Sequence, residues 1–248
     1  MWWQETVIYE VYVRSFCDSD GDGVGDLPGV LERLDYLAEL GVEAVWLTPI
    51  HSSPDADVGY DVADYVAVDE RLGTLADVGG LLRAAHARGM RVLLDLVVNH
   101  TSVAHPWFAA SRASREDPRR DWYIWRAGPP GAPPTNWRSL AGGSAWQYDA
   151  ATGEHYLHTF LPEQPDLTWR NADVRAAVAD VMRFWLERGG STSSGSTRCR
   201  CWSRTRSSET TRPIRAGARG SLTTGGWRQR SRRTALPSHT PGLAPLAP

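Results

Sequence analysis

Residues 75–100 read LADVGGLLRAAHARGMRVLLDLVVNH: a helix over Leu75–Arg88, a stop at Gly89, then an apolar strand, Arg91–Val97, that runs into Asn99 and His100. A helix leading into a buried strand is half of a βαβ unit, whose parallel strands are covered on both faces and read as nearly continuous apolar runs. Toward the N-terminus the unit recurs. A short strand at Ala44–Leu47 closes on Thr48-Pro49, and a helix over Leu31–Leu40, with Leu34, Leu37, Ala38 and Leu40 at helical spacing, ends at Gly41. Before it, Thr6–Phe16 is β-branched and aromatic and reads as a strand. Toward the C-terminus a long aromatic and Pro-rich excursion, 101–169, precedes an amphipathic helix over Asp173–Arg188. This order predicts the first part of a parallel α/β fold, with its chemistry gathered in the loops after the strands.

Composition bounds the remaining possibilities. The chain has 248 residues, 42% of them hydrophobic, a net charge of −2, and no apolar run long enough to span a membrane. The opening Met1-Trp2-Trp3-Gln4-Glu5 lacks the basic and apolar regions of a signal peptide, so a cytoplasmic protein is the expectation. Cys17, Cys199 and Cys201 make no disulfide framework, and Cys199-Arg200-Cys201 is too tight for a zinc pair. The even balance hides a break at Gly190. Residues 1–190 carry 16 Arg against 28 acids, whereas 191–248 carry 11 Arg against the single acid Glu209 and contain no Asp, Lys, Val, Phe or Tyr. A Ser, Thr, Arg, Gly and Pro text of that kind cannot bury enough apolar surface to offset its chain entropy, and disorder is expected.

Four groups of residues carry chemistry. Asp18, Asp20, Asp22 and Asp26, with the Val24 carbonyl, sit on a Gly-rich loop and suit a hard cation, Ca²⁺ or Mg²⁺; a solvated acidic turn is the alternative. The twelfth position is Gly29 and a strand precedes the loop, so it is not an EF-hand. Gly59–Tyr65 (GYDVADY) places a ring and two carboxylates after the second strand, a pattern that a helix cap would share. Asp95, inside an apolar strand, with Asn99 and His100 at its end, could hold a polar substrate or form a satisfied structural network. The 12 Trp, many of them in 101–169, suit either sugar faces or core packing, and His155 and His158 read as ordinary polar residues.

Taken together, WWQETVIYEVYVRSF (2–16), DSDGDGVGDLPG (18–29), LGVEAVWLTPI (40–50), GYDVADY (59–65), DLVVNHTS (95–102), HPWF (105–108) and QPDLTW (164–169) resemble the α-amylase superfamily, glycoside hydrolase family 13. The resemblance is nearest to its α-glucosidase and oligo-1,6-glucosidase branch. It implies the N-terminal part of a (β/α)₈ TIM barrel: three βα units over 1–100, a small domain inserted over 101–168, a barrel helix over 169–190, and the tail 191–248. It also implies retaining cleavage of terminal α-glucosidic bonds in a small oligosaccharide. Tyr60, Asp61, His100, Phe160 and Gln164 fall on substrate-binding positions, with Asp61 and His100 as ligands of the glucose hydroxyls. Asp95 and Asn99 support the site, and the Asp-rich loop matches a structural metal site. Trehalose synthases and sucrose isomerases share much of this N-terminal pattern, and a non-catalytic sugar-binding homologue is the alternative from a different class.

The family's catalytic groups are the point of departure. Its nucleophile is an Asp in a G-F-R-x-D segment on strand four, its acid/base a Glu after strand five, and a third Asp follows strand seven; 191–248 contain no Asp, and Glu209 sits in no such motif. A shifted reading frame near Gly190 would account for this. With the one free base of each codon chosen, Ser191–Thr197 becomes V-D-V-F-R-L-D, Trp202–Thr205 yields V-K-D, and Glu209–Arg215 becomes D-N-P-P-N-P, a phrase of the α-glucosidase branch. The competing reading of the Arg-rich text is a nucleic-acid-binding arm. As it stands the chain is expected to have no catalytic carboxylates and negligible hydrolytic activity.

Overall fold

The computed structural model describes residues 2–188, so the expectations for 191–248, including disorder, the shifted frame and the nucleic-acid arm, lie outside the described residues. Strand β1 (Ile8–Val11), β2 (Ala44–Leu47) and β5 (Arg91–Leu94) form one parallel sheet in the order β1-β2-β5, with Val11, Leu47 and Leu94 in register. Between β2 and β5 lies an antiparallel hairpin of β3 (His51–Ser52) and β4 (Asp64–Val68). Helices α2 (Leu27–Glu32), α3 (Leu34–Glu39) and α4 (Leu75–Ala87) supply Val30, Leu34, Leu37, Leu81, Leu82 and Ala85 to a core shared with Val11, Val45, Leu47, Val92 and Leu94. No helix among the described residues is long and apolar enough to cross a membrane.

Several boundaries differ from those expected, each for a local reason. The run Thr6–Phe16 is a strand only as far as Val11, after which α1 (Val13–Phe16) turns the chain; the Val13 amide donates to Thr48 Oγ1 at 3.3 Å. The expected helix 31–40 starts earlier, at Leu27. There Asp26 caps it by accepting from the Gly29 amide at 2.6 Å, and the helix breaks at Arg33 (φ −98°, ψ 6°) into α2 and α3. Gly25 and Gly29 are required by close packing, since a Cβ would lie 2.2 Å from Val13 O and 2.1 Å from Cys17 O. Thr74 and Asp77 form a capping box on α4, and Gly89 (φ 72°) follows its end. The strand expected over 91–97 pairs only to Leu94; Leu96, Val97 and Val98 continue as buried irregular chain.

Residues 101–168 contain α5 (Pro106–Ala113) and a second, antiparallel sheet of β6 (Trp125–Ala127), β7 (Trp146–Asp149) and β8 (Glu154–Leu157), in the order β6-β8-β7. Here the tryptophans divide. Trp122 and Trp125 are buried with Phe108, Tyr123 and Tyr156, and Phe108 stacks on Trp125; Trp137 and Trp169 remain exposed. Buried Arg120 lies with its guanidinium 3.6 Å over the Trp125 ring and pairs with Glu154, so its charge is compensated. Helix α6 (Ala172–Glu187), capped by Asn171, returns to the core of the parallel sheet, and Trp185 Nε1 donates to Tyr65 O at 2.8 Å.

Candidate functional site

The site forms where the chain that follows β2 and β5 meets residues 157–167. His100 pairs in a bridge with Asp166, and Thr101 N donates to Pro165 O (3.2 Å) while Leu167 N donates to Asn99 O (2.9 Å). Those bonds bring residues more than sixty positions apart in sequence into one cluster. His100 is buried; its Nε2 lies 3.0 Å from Tyr60 O and 3.0 Å from Gln164 Nε2, and its Nδ1 lies 3.3 Å from Asn99 Nδ2. A proton on Nε2 donates to Tyr60 O and leaves Nδ1 to accept from Asn99; the Gln164 amide nitrogen is then in contact with the ring without a hydrogen bond to it, and donates to Asp57. Burial lowers the imidazole pKa to about 4, so the ring is neutral at pH 7. The Phe160 ring stands edge-on to it, with centroids 5.2 Å apart.

Gln164 is fully buried: its Oε1 accepts from Leu161 N (2.9 Å) and its Nε2 donates to Asp57 Oδ2 (2.8 Å). Asp61 is also fully buried and accepts from Ser53 Oγ (2.8 Å), Ala56 N (3.0 Å) and Asp57 N (3.0 Å). Three of its roughly four lone-pair sites are thus committed to shaping the 53–61 loop. The Tyr60 hydroxyl bonds to Asp95; burial, with Asp95 beside it, raises the phenol to about 12. Asp95 is itself raised to about 6, first by burial, with Glu10 adding to the effect.

Asp57 and Asp166 had no assigned role in the sequence. Asp166 is buried, accepts from Thr159 N (2.9 Å), the Thr159 hydroxyl and Asn99 Nδ2 (3.2 Å), and is raised to about 6 by burial. It ties Asn99, and through it His100, to the segment that follows β8. The signal for Asp57 was its place four residues before Asp61 in a Pro- and Gly-containing loop; for Asp166, its place in QPDLTW. A cavity of about 230 Å³ lies along the β3–β4 hairpin, lined by Ser52, Ser53, Pro54, Val68, Asp69, Glu70 and Arg71. Of the site residues named above only Ser53, which donates to Asp61, lines it.

The loop carrying Asp57 and Asp61 is braced from outside. Arg14 and Arg71 both pair with Asp55 (3.1 and 2.8 Å) and with Asp69 (3.5 and 2.6 Å). Within this frame Val58 has φ +44°, a left-handed conformation that a β-branched residue adopts only under strain, and its side chain is 46% exposed. Replacing Val58 with Gly or Asn relieves that strain without loss of packing and should stabilise the fold by about 1 kcal/mol. Urea midpoints of Val58→Gly and Val58→Asn check this; midpoints equal to or below that of the parent would count against it.

At the Asp-rich loop, carboxylate oxygens of Asp18, Asp20 and Asp22 lie within 4.8 Å of one another, all exposed. Gly21 N and Gly23 N donate to Asp18, and Val24 N donates to Asp22 Oδ1 at 2.7 Å. The Gly23 and Gly21 amides lower the Asp18 pKa. Asp26 is outside this triad: besides capping α2 it accepts from Ser19 N (3.1 Å) and Ser19 Oγ (2.8 Å). An all-oxygen set on a Gly-permissive loop fits Ca²⁺ or Mg²⁺.

Comparison with known proteins gives a concordant result. Residues 10–192 match the family model described as alpha amylase, catalytic domain. An oligo-1,6-glucosidase of Parageobacillus thermoglucosidasius is 53% identical over 189 residues, 76% of this chain and 34% of that protein. Among solved structures, trehalose-6-phosphate hydrolase of Bacillus licheniformis (49% identity, TM-score 0.74) is matched over 76% of this chain and 34% of its own. Trehalulose synthase of Pseudomonas mesoacidophila (47%, 0.75) is matched over 77% of this chain and likewise 34% of its own. The chain therefore spans about a third of the length of the relatives it matches.

Proposed function

The chain belongs to the α-amylase catalytic-domain family, and from that premise we propose that it is the opening sector of an α-glucosidase-like retaining glycoside hydrolase acting on terminal α-glucosidic bonds of small oligosaccharides. The observation that carries this reading is the joining of His100, Gln164, Asp57 and Phe160 at the ends of the parallel strands. A neutral imidazole, a fixed amide and an aromatic edge at one point suit a hydroxylated ring, which needs directional donors and acceptors beside an apolar wall. In this reading Asp61 and His100 bind glucose hydroxyls, Tyr60, Phe160 and Gln164 line the pocket, and Asp95 and Asn99 hold Tyr60 and His100 in place. The free thiol of Cys17 is in keeping with a cytoplasmic enzyme.

The nucleophile and the acid/base belong to barrel units beyond β5, and we infer that the reading frame shifts near Gly190. Support comes from the family match, which ends at residue 192, and from the composition break two residues before it. The nucleotide sequence across Gly190 tests this: a downstream open frame encoding the strand-four motif is expected, and its absence refutes the shift. The activity is tested with a single polypeptide in which residues 1–188 continue into the part of the P. thermoglucosidasius oligo-1,6-glucosidase that follows its matched third. Hydrolysis of an α-glucoside with α-glucose as the first product is expected. A β-product, or no turnover by this folded polypeptide, rejects the reading.

Asp18, Asp20 and Asp22, with the Val24 carbonyl, would hold Ca²⁺ or Mg²⁺ as a structural ion; Asp26, which the sequence adds to the set, instead accepts from Gly29 N and from Ser19. Such an ion draws exposed carboxylates together and fixes the loop before α2. An ion at a hundredfold its Kd adds about 2.7 kcal/mol to stability. The melting temperature should therefore rise by several degrees in millimolar Ca²⁺, return to baseline in EDTA, and respond less in Asp20→Asn. A melting temperature indifferent to Ca²⁺, Mg²⁺ and EDTA would show that the loop is an acidic turn.

A further inference from the structure

Residues 51–71 hold six acids against one arginine, Arg71, so the stretch that carries Asp57 and Asp61 is short of positive charge. The fold brings in a second cation from α1. Arg14, 41 positions before Asp55 in the sequence, pairs with Asp55 and Asp69, the same two carboxylates that Arg71 engages. The two arginines thereby sort the acids. Asp55 and Asp69 are neutralised, whereas Asp57 and Asp61 enter no ion pair among the described residues. Their partners are neutral donors: Gln164 for Asp57, and Ser53 with two loop amides for Asp61. A carboxylate that stays anionic and has acceptor capacity left over suits the hydroxyl groups of a sugar.

Strain is concentrated in the same loop. Among the described residues the non-glycine positions with left-handed φ are Asp55 (+71°) and Val58 (+44°), and Gly59 (+97°) follows directly. Such conformations persist only where the surroundings over-determine them, and they cluster at ligand clamps. Arg14 supplies that constraint from a fixed base. Its own carbonyl accepts from Gly25 N at 2.8 Å and the neighbouring Val13 amide donates to Thr48, so α1 is held while the guanidinium reaches Asp55, after β3, and Asp69, after β4. The loop between β3 and β4 is thus tied near its start and just beyond its end.

Stability alone does not explain this arginine. A buried ion pair gives little net stability, because desolvation offsets the attraction. The Arg14 side chain is only 12% exposed, and its Nε is buried without an acceptor. Its ion pairs with Asp55 and Asp69, at 3.1 and 3.5 Å, are longer than those that Arg71 makes with the same acids, at 2.8 and 2.6 Å. We propose that Arg14 is a positioning residue of the sugar site: it locks the strained 53–61 loop to α1 so that Asp57 and Asp61 stay in place, free of cations, for the hydroxyl groups of a bound glucose ring. The proposal rests on the α-glucosidase-like reading for its ligand and on the loop geometry for its mechanism.

Hydrogen exchange in the full 248-residue chain reads the loop directly. In Arg14→Met the Ala56 and Asp57 amides, which donate to Asp61, should exchange at least tenfold faster, while the β2 amides and the melting temperature stay as in the parent. Asp55→Asn reaches the same result by another route, since Asn accepts a left-handed φ but removes the charge that both arginines share. That variant decides the case should Arg14→Met fail to fold. In the single-polypeptide fusion, Arg14→Met should raise KM for a p-nitrophenyl α-glucoside at least tenfold and change kcat less than about threefold, as loss of binding made equally to ground and transition states does. Unchanged exchange at Ala56 and Asp57 overturns the proposal, and so does an unchanged KM. Faster exchange in every element with a lowered melting temperature also overturns it, since Arg14 would then be a structural residue only. An inactive parent fusion with selectively faster exchange in Arg14→Met removes the α-glucosidase reading and leaves the clamp, whereas an active fusion indifferent to Arg14→Met removes the clamp alone.

Discussion

The purified 248-residue chain is expected to hydrolyse a p-nitrophenyl α-glucoside no faster than a buffer blank, about a millionfold below an intact relative, the order of loss seen when a nucleophile is removed from groups that act as a unit. Retaining cleavage needs two carboxyl groups about 5–5.5 Å apart, one free to attack and one able to donate a proton. Four carboxyl groups surround the candidate site, and each already has work inside the chain. Asp61 accepts three loop donors, Asp57 holds Gln164, Asp166 latches Thr159 and Asn99, and Asp95 is bonded to Tyr60. Asp95, raised to about 6, has the acidity of a general acid, but none of the other three is free to act as its nucleophile. Binding groups that remain cannot replace the missing step, because hydroxyl contacts made equally to ground and transition states do not accelerate bond cleavage. The decisive control is Asp95→Asn. Turnover above the blank that disappears in this variant would show a carboxyl group of this chain at work, against the expectation.

What could be read from the sequence follows from where the information lies. The parallel strands and their helices were legible because buried runs such as Arg91–Leu94 and glycine stops such as Gly41 and Gly89 are local signals. The hairpin β3–β4 escaped, since a two-residue strand with a register shift leaves no periodicity to detect. The division of the first helix at Arg33 also escaped, because it is a backbone event between two good helical stretches. At the site, the residues named from the family's motifs come together, but the roles of Asp57 and Asp166 depend on contacts across 107 and 67 positions, which no local pattern encodes. The metal loop shows the opposite case. Four aspartates within nine residues look equivalent, yet the fold uses Asp26 as a helix cap and leaves only three in mutual reach.

Stability should fall steeply as the solution is acidified from pH 7 to pH 4. His51, His100 and His105 are each lowered from 6.5 to about 4, in every case first by burial. Their contribution is full above the unfolded value and is lost as pH falls toward 4, because the unfolded chain takes up protons that the folded chain refuses. Asp95 and Asp166 act in the opposite sense. Their folded values, about 6, lie above the ordinary 3.8, so their contribution is full below 3.8 and is lost as pH rises through 6. Between about pH 4 and 6 the unfolded chain therefore holds three protons where the folded chain holds two, and stability rises with pH at about 1.4 kcal/mol per unit. Above pH 6 the carboxyl groups no longer oppose, and the slope steepens up to 6.5. The total comes to about 4 kcal/mol, a large part of the roughly 5–15 kcal/mol that holds a domain together. His158, also lowered by burial, acts in the same direction. His51 isolates the cause, since both of its ring nitrogens are buried without partners and its ring stands edge-on to Tyr65 and Trp185. His51→Leu removes one of the three protons, which brings folded and unfolded chains to parity between pH 4 and 6, so urea midpoints of this variant should be nearly flat there while those of the parent fall. A parent curve that is flat or rises toward acid, or a variant as acid-sensitive as the parent, would place the pH response elsewhere than in these buried imidazoles.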